Sequence, residues 1–245
     1  MRVLCICSYK GTAYQGWQKQ KDAPTIQETI ESVLSKILNT PITIYGSGRT
    51  DSSVHAKKQY FHFDIDRELD LDKFRYSVNC LLPKDIFISE MKQVSEDFHA
   101  RYSAKGKTYQ YVIHFGPRDP LNFDFECSIP YEIDVNLLCD ALKEFEGEHN
   151  FRDFTSKEED EDGYIREIYS VKTEFNKEDN RLVITFNGDG FMRYQIRYMV
   201  GTAIAVASHK ENADYIKKHL DNTGNRDVVS HKAEPQGLFL VEVNY

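Results

Sequence analysis

The segment Gly46-Ser47-Gly48-Arg49-Thr50-Asp51-Ser52-Ser53-Val54-His55-Ala56 holds the residues best suited to chemistry. It is polar, spaced by glycines, and set between two strand-like runs, Ile42 to Tyr45 and Lys58 to Phe63. Asp51 follows Arg49 by two residues, so the turn presents a carboxylate with its own cation. Loops carry function more often than the elements they join, and glycine lets the backbone approach a ligand closely. A nearby arginine favours the ionised carboxyl. An ordinary hairpin turn with a surface ion pair of little worth accounts for the same residues equally well.

A second segment runs from Phe98 to Tyr111. From Arg101 onward it packs three cations (Arg101, Lys105, Lys107) and three tyrosines (Tyr102, Tyr109, Tyr111) into eleven residues. Cations with interleaved rings suit RNA, because they meet phosphates while the rings stack on bases. The competing reading is a charged edge strand with its aromatic face in the core, and Tyr111 fits that one. A third segment, Gly188 to Gly201, is a Gly-x-Gly turn feeding a helix predicted from Phe191 to Ala207. Its N-terminus offers N–H groups and a positive dipole end. Arg193 and Arg197, four residues apart, share one face. It fails as a dinucleotide fingerprint, lacking the third glycine and the βαβ context.

The elements that must position these segments follow from periodicity. Thr25 to Glu28 forms a capping box, and Ile26, Ile30, Val33, Leu34, Ile37 and Leu38 recur at helical spacing behind it. Arg2 to Tyr9, Ile42 to Tyr45, Lys58 to Ile65 and Ile86 to Val94 read as strands. Asp70 to Leu82 reads as a helix with Leu71, Phe74, Val78 and Leu81 on one side. This is a β-α-β-β-α-β unit. Lys105 to Phe115, Ile165 to Phe175, Leu182 to Phe186 and Leu238 to Tyr245 read as strands of a second such unit, with helices at Asn136 to Phe145, Phe191 to Ala207 and Ala213 to Leu220. The fold expected is α+β: two ferredoxin-like halves, residues 1–103 and 104–245, forming one continuous mixed or antiparallel sheet with a central cleft as the natural ligand site.

Composition narrows the function. The 245 residues carry a formal net charge of −8, which argues against a nonspecific nucleic-acid coat but leaves room for a local basic cleft. Glu158-Glu159-Asp160-Glu161-Asp162 concentrates acid in what reads as a solvated loop. The five scattered cysteines suggest reduced thiols in the cytoplasm. No apolar run reaches the roughly 18 residues of a membrane span. No Cys/His set has metal spacing, so no metal is expected. Tyr14 to Gln20, with the only tryptophan, reads as a polar loop suited to contacting RNA or plugging a domain seam.

Together these residues resemble the TruA-type tRNA pseudouridine synthases. The family pattern stands here as Tyr9-Lys10-Gly11-Thr12 with Gly16-Trp17-Gln18, then Gly48 to Ala56, Phe98 to Tyr111, Gly188 to Gly201, and Gly237-Leu238-Phe239-Leu240. The order is the family's and spans nearly the whole chain. The resemblance implies the pseudouridine synthase fold and conversion of uridine to pseudouridine in the anticodon stem-loop of tRNA, at positions thirty-eight to forty. It implies no cofactor, tRNA as partner, a homodimer and no membrane association.

Carried over residue by residue, the resemblance makes Asp51 the nucleophile, attacking either the ribose anomeric carbon or C6 of uracil. Arg197 becomes the cation paired with it, and Tyr109 the ring stacked on the target uracil, able to help remove the C5 proton. Arg49 supports the turn and helps extrude the uridine, and Leu238 walls the site. Arg101, Lys105, Lys107 and Arg193 are the expected RNA contacts. The chain departs from the pattern in three places. Ser52-Ser53 replaces the usual Ala-Gly, so a positive φ there would strain Ser53. Tyr194-Gln195-Ile196-Arg197 replaces a His/Arg-Met-Val-Arg run, and Glu234-Pro235-Gln236 a more apolar one. Two other classes compete: a noncatalytic RNA-binding protein on this fold, and a glycosidase. The glycosidase would want a second carboxylate, for which Asp189 is the nearest candidate.

Overall fold

The computed structural model describes residues 1–158 and 163–245. The chain divides into two compact units. The first comprises Met1–Lys105 with Phe239–Tyr245, the second Gly106–Leu238. Both are α+β.

In the first unit the order is β1 (Arg2–Tyr9), α1 (Ile26–Leu38), β2 (Tyr45–Gly46), β3 (His55–Asp64), α2 (Leu71–Leu81) and β4 (Ile86–Val94). β1 lies between β4 and β3, antiparallel to both, and the short β2 pairs with β3. This is the expected β-α-β-β-α-β arrangement. Thr25 caps α1 by accepting the Glu28 N–H, and Ile26, Ile30, Leu34 and Leu38 form its buried stripe. In α2 the core takes Phe74, Val78 and then Leu82. Leu81, expected inside, is 48% exposed. Cys5 and Cys7 lie wholly inside β1, where burial pushes both thiols up.

The strand expected from Ile42 shortens to Tyr45–Gly46. The backbone N–H groups that would enter a ladder go to α1 instead. Ile42 donates to Ser35 Oγ at 2.9 Å and Ile44 to the buried Glu31 carboxylate at 3.1 Å. A buried N–H must find an acceptor, and a side chain serves as well as a strand.

The last strand, β10 (Leu238–Asn244), was expected to close the second half. It pairs in parallel with β3 through Phe239 opposite His55 and Leu240 opposite Ala56. The chain end therefore returns to the first unit. Glu242 takes hydrogen bonds from Tyr60 and Lys58 there, and Tyr245 donates its hydroxyl to Ala100 O at 2.8 Å.

The second unit contains β5 (Gly106–Phe115), β6 (Cys127–Ile129), α3 (Val135–Lys143), β7 (Gly147–Asn150), β8 (Ile165–Asn176), β9 (Arg181–Gly188), α4 (Gln195–Ala207) and α5 (Tyr215–Leu220). The antiparallel order is β5-β9-β8-β7, with β6 added in parallel to β5. Of the acidic run, Glu158 is exposed, and the rest lies outside the described residues. Small residues make one face of α4 close-fitting. A Cβ built on Gly201 would stand 2.6 Å from His231 O and 2.7 Å from Ala233 N. The segment 231–233 therefore lies directly on the helix.

The Phe98-His99-Ala100-Arg101 motif is a turn pinned to the first unit. Arg2 Nη1 donates to Phe98 O at 2.8 Å, and the Ala100 N–H donates to His62 Nδ1 at 3.2 Å. His62 is 1% exposed. Burial, with the neighbouring His99 and Arg2, lowers its pKa from 6.5 to about 4. The neutral ring is the one that can accept from Ala100. A depressed pKa contributes stability that is complete above the unfolded value and disappears as pH falls from 6.5 towards 4. Replacing His62 by glutamine should therefore flatten the loss of thermal stability across this window in acid melts. An unchanged pH slope would contradict it.

Candidate active site

The turn joining β2 to β3 is held from beneath at almost every residue. Ser47, Thr50, Val54 and His55 are buried, while Asp51, Ser52 and Ser53 are half-buried. The Ser47 N–H donates to Tyr60 O at 2.7 Å and its hydroxyl to Gln59 Oε1 at 2.6 Å. Gln59 Nε2 returns a bond to Gly48 O at 3.0 Å. One buried amide thus ties two turn residues to β3.

The loop between β1 and α1 supplies the rest of the bed. Trp17 N–H donates to Thr50 O at 3.1 Å, and the Tyr9 and Thr50 hydroxyls share a hydrogen bond of 2.8 Å. Tyr14 O receives the Ser53 N–H and the Ser52 hydroxyl, each at 3.3 Å. His55 Nδ1 accepts the Gly11 N–H at 3.0 Å, which leaves its ring proton on Nε2. Gly16 adopts φ +87°, and a Cβ there would fall 2.5 Å from Thr50 O. Only glycine supplies both the conformation and the clearance.

Trp17 is 2% exposed. It packs against Tyr9 and Phe61, with ring centroids 6.0 Å away in each case. It is a core residue under the turn, and its burial does not fit the expected RNA contact. The motif Tyr9 to Gln18 and the turn are one structure. The signal available in the sequence was the glycine spacing around a lone tryptophan.

Ser53 adopts φ +64°, so the replacement of the family glycine does place a serine in the left-handed region. Its own N–H and the Ser52 hydroxyl, both bonded to Tyr14 O, hold it there. Restoring glycine at this position should raise stability by about 1 kcal/mol, the usual left-handed penalty. Thermal melts of Ser53→Gly check this, and a lowered midpoint would contradict it.

Arg49 does not form the expected ion pair with Asp51. It is exposed, and its Nε donates to Gln18 Oε1 at 3.1 Å. The exposed Arg101 and Lys105 also belong to the first unit. The Arg101 guanidinium lies 5.5 Å from the Tyr102 ring, and the Lys105 N–H donates to Asn244 O at 2.8 Å.

In the second unit Tyr109 lies on β5 opposite Phe186, 7% exposed, with Phe191 edge-on at 5.3 Å. Lys107 is half-buried on the same strand, and Tyr111 is wholly buried, its hydroxyl donating to Glu234 O at 2.7 Å. Arg197 is 9% exposed. Its Nε donates to Ala233 O at 2.8 Å, and the Ala233 N–H donates to Arg197 O at 2.9 Å. The Arg197 guanidinium lies 5.2 Å from the Tyr194 ring. Leu238 is 5% exposed at the start of β10. Helix α4 begins at Gln195, not at Phe191 as expected. Tyr194 takes φ +63°, and Gln195 Oε1 accepts the Met192 N–H at 2.9 Å. The Gly188-to-Arg193 turn is thereby folded against the helix start.

A family profile described as tRNA pseudouridine synthase matches residues 6–103 and 141–245. The chain belongs to the tRNA pseudouridine synthase family. The tRNA pseudouridine synthase A of Streptococcus gordonii is 37% identical over 246 residues, covering 100% of this chain and 98% of that protein. Its counterpart from Streptococcus mutans serotype c is 35% identical over 247 residues, covering 100% and 99%. A solved Cbf5-Nop10-Gar1 complex aligns with 97% of this chain and 57% of its own at TM-score 0.40 and 13% identity. As a tRNA pseudouridine synthase the protein is an isomerase. Substrate and product contain the same atoms, so the conversion is redox-neutral and consumes no co-substrate. The C1′–N1 bond breaks, a C1′–C5 bond forms, C5 loses its proton and N1 gains one.

Proposed function

We propose that the protein converts uridine to pseudouridine in the anticodon stem-loop of tRNA, at positions thirty-eight, thirty-nine or forty, with Asp51 as nucleophile. The observation that carries this reading is the bed beneath one turn. From Ser47 to His55 every residue around Asp51 is buried or hydrogen-bonded to β3 or to the loop between β1 and α1, and Asp51 is held half-buried among them. A nucleophile gains most from such fixed aim, because a misplacement of about 1 Å can cost 10²-fold in rate. Covalent attachment then splits one difficult exchange into two easier steps.

Arg197 is the cation that keeps the nucleophile ionised, and Tyr109 the ring against the uracil. Leu238 is apolar wall. Arg49, Arg101, Lys105, Lys107 and Arg193 meet the RNA. The target uridine leaves the stem before reacting, at the usual unstacking cost of a few kcal/mol. The protein works in the cytoplasm as a homodimer. Its five cysteines are free thiols, and no described helix is long and apolar enough to cross a membrane.

Transcripts of one anticodon arm carrying a single uridine at each of the three positions test the assignment. Product at one or more of them is expected. Product confined to uridines elsewhere in the tRNA would contradict it.

A further inference from the structure

Beside Arg197 the second unit gathers two more cations on one tyrosine. The Arg193 guanidinium lies 4.8 Å from the Tyr194 ring centroid and the Lys232 ammonium 4.4 Å. Arg193 Nη2 also donates to the Tyr194 hydroxyl at 3.0 Å. Lys232 reaches the Tyr198 ring as well, at 5.7 Å, and the two tyrosines meet edge-on at 6.4 Å. Arg193 and Lys232 are both exposed.

This gathering is built into the backbone. The reciprocal bonds between Arg197 and Ala233 latch residue 233 to α4, and the close approach at Gly201 seats 231–233 on the helix. Lys232 is therefore delivered to Tyr194 by its own chain. The left-handed φ of +63° at Tyr194 sets the ring at the helix start. Backbone strain of this kind persists where the surroundings enforce it.

Electrostatically the arrangement is unfavourable without an anion. Among the described residues no carboxylate lies within 4.0 Å of Arg193 or Lys232. The nearest acid in sequence, Glu234, is exposed and forms no ion pair with them. A cation over a partly exposed ring gains little, and the cations repel one another. A phosphodiester group reverses this balance, since one anionic group can accept from both donors.

We propose that Arg193 and Lys232, set around the Tyr194 ring, form a bracket for a phosphate of the RNA backbone, with Lys232 and Tyr194 as determinants of substrate binding. The bracket rests on the family reading for the identity of the polyanion. It predicts that these side chains act on binding, and that the ring matters because it holds the cations together.

The test is RNA binding by fluorescence anisotropy across a potassium chloride series, with pseudouridine formation measured on the same preparations. Lys232→Gln and Arg193→Gln should each reduce the slope of log K against log salt by about 0.7–0.9. Lys232→Gln should raise KM while kcat holds. Tyr194→Leu should weaken binding with every cation still present. Lys177→Gln, in the turn after β8, should leave the slope as in the parent protein. Unchanged slopes in both Arg193→Gln and Lys232→Gln would overturn the bracket, as would a fall in kcat at constant KM for Lys232→Gln. Parent protein that formed no pseudouridine would instead contradict the family reading, and the slopes would still decide the bracket.

Discussion

Asp51→Ala should abolish pseudouridine formation while leaving tRNA affinity within about twofold of the parent protein. Removing a covalent nucleophile costs on the order of 10⁴-fold or more in kcat, as it does where such groups have been deleted from other enzymes. The folded turn should survive the change. Its anchors are the backbone of Trp17 and Tyr14 and the side chains of Tyr9 and Gln59, bonded to Ser47, Gly48, Thr50 and Ser53. The Asp51 carbonyl accepts the Val54 N–H at 3.2 Å, and alanine keeps that bond. Single-turnover assays with saturating enzyme separate the two quantities. Turnover within about 10²-fold of the parent would remove Asp51 from its role.

Arg197→Lys should lower kcat about 10²-fold or more although the charge is kept. The guanidinium is planar and multiply donating. Its Nε is committed to Ala233 O at 2.8 Å, and that bond fixes where the rest of the fork points. A lysine ammonium offers one point charge on a flexible stem. It can follow the bond to Ala233 or act elsewhere, but it does not reproduce a fork doing both. The substitution also weakens the latch on the 231–233 segment, so stability should fall by about 1 kcal/mol, the usual worth of a hydrogen bond. Steady-state kinetics and a melt on one preparation measure both effects. Near-parental kcat would contradict the role given to Arg197.

Much of this architecture was legible in the sequence because local signals and tertiary demands agreed. Thr25, Glu28 and the apolar stripe of α1 define a helix at every level, and the helix forms where they place it. The first unit's strand order follows from the β-α-β-β-α-β pattern in the same way. Failures arose where side chains took over backbone duties. Ile42 and Ile44 look like a strand, yet Ser35 and Glu31 claim their N–H groups. Phe191 to Tyr194 looks like helix, yet the φ at Tyr194 and the Gln195 cap turn it aside. Neither arrangement has a periodic signature. β6 and β7 span three and four residues, too few for alternation to register.

The site divides along the same line. Its motif residues could be named from type and spacing, and the consequence of Ser53 could be foreseen, because left-handed backbone is a local property. The bed beneath Asp51 could not. It joins residues thirty or more positions apart through single hydrogen bonds, such as Tyr9 to Thr50 and Trp17 to Thr50. The pairing imagined between Arg49 and Asp51 rested on proximity in sequence, and Gln18 draws Arg49 away. Lys232 carried no signal of its own, since the Arg197–Ala233 latch and the close approach at Gly201 bring it to Tyr194.

The most direct measurement is carbodiimide mapping of pseudouridine in an unmodified tRNA transcript after incubation with the parent protein or with Asp51→Asn. Asparagine keeps the size and shape of the side chain and removes the carboxylate that attacks. Pseudouridine is expected in the anticodon arm with the parent protein and none with the variant, at equal RNA occupancy. Pseudouridine formed by both proteins would contradict the assignment of Asp51 as nucleophile.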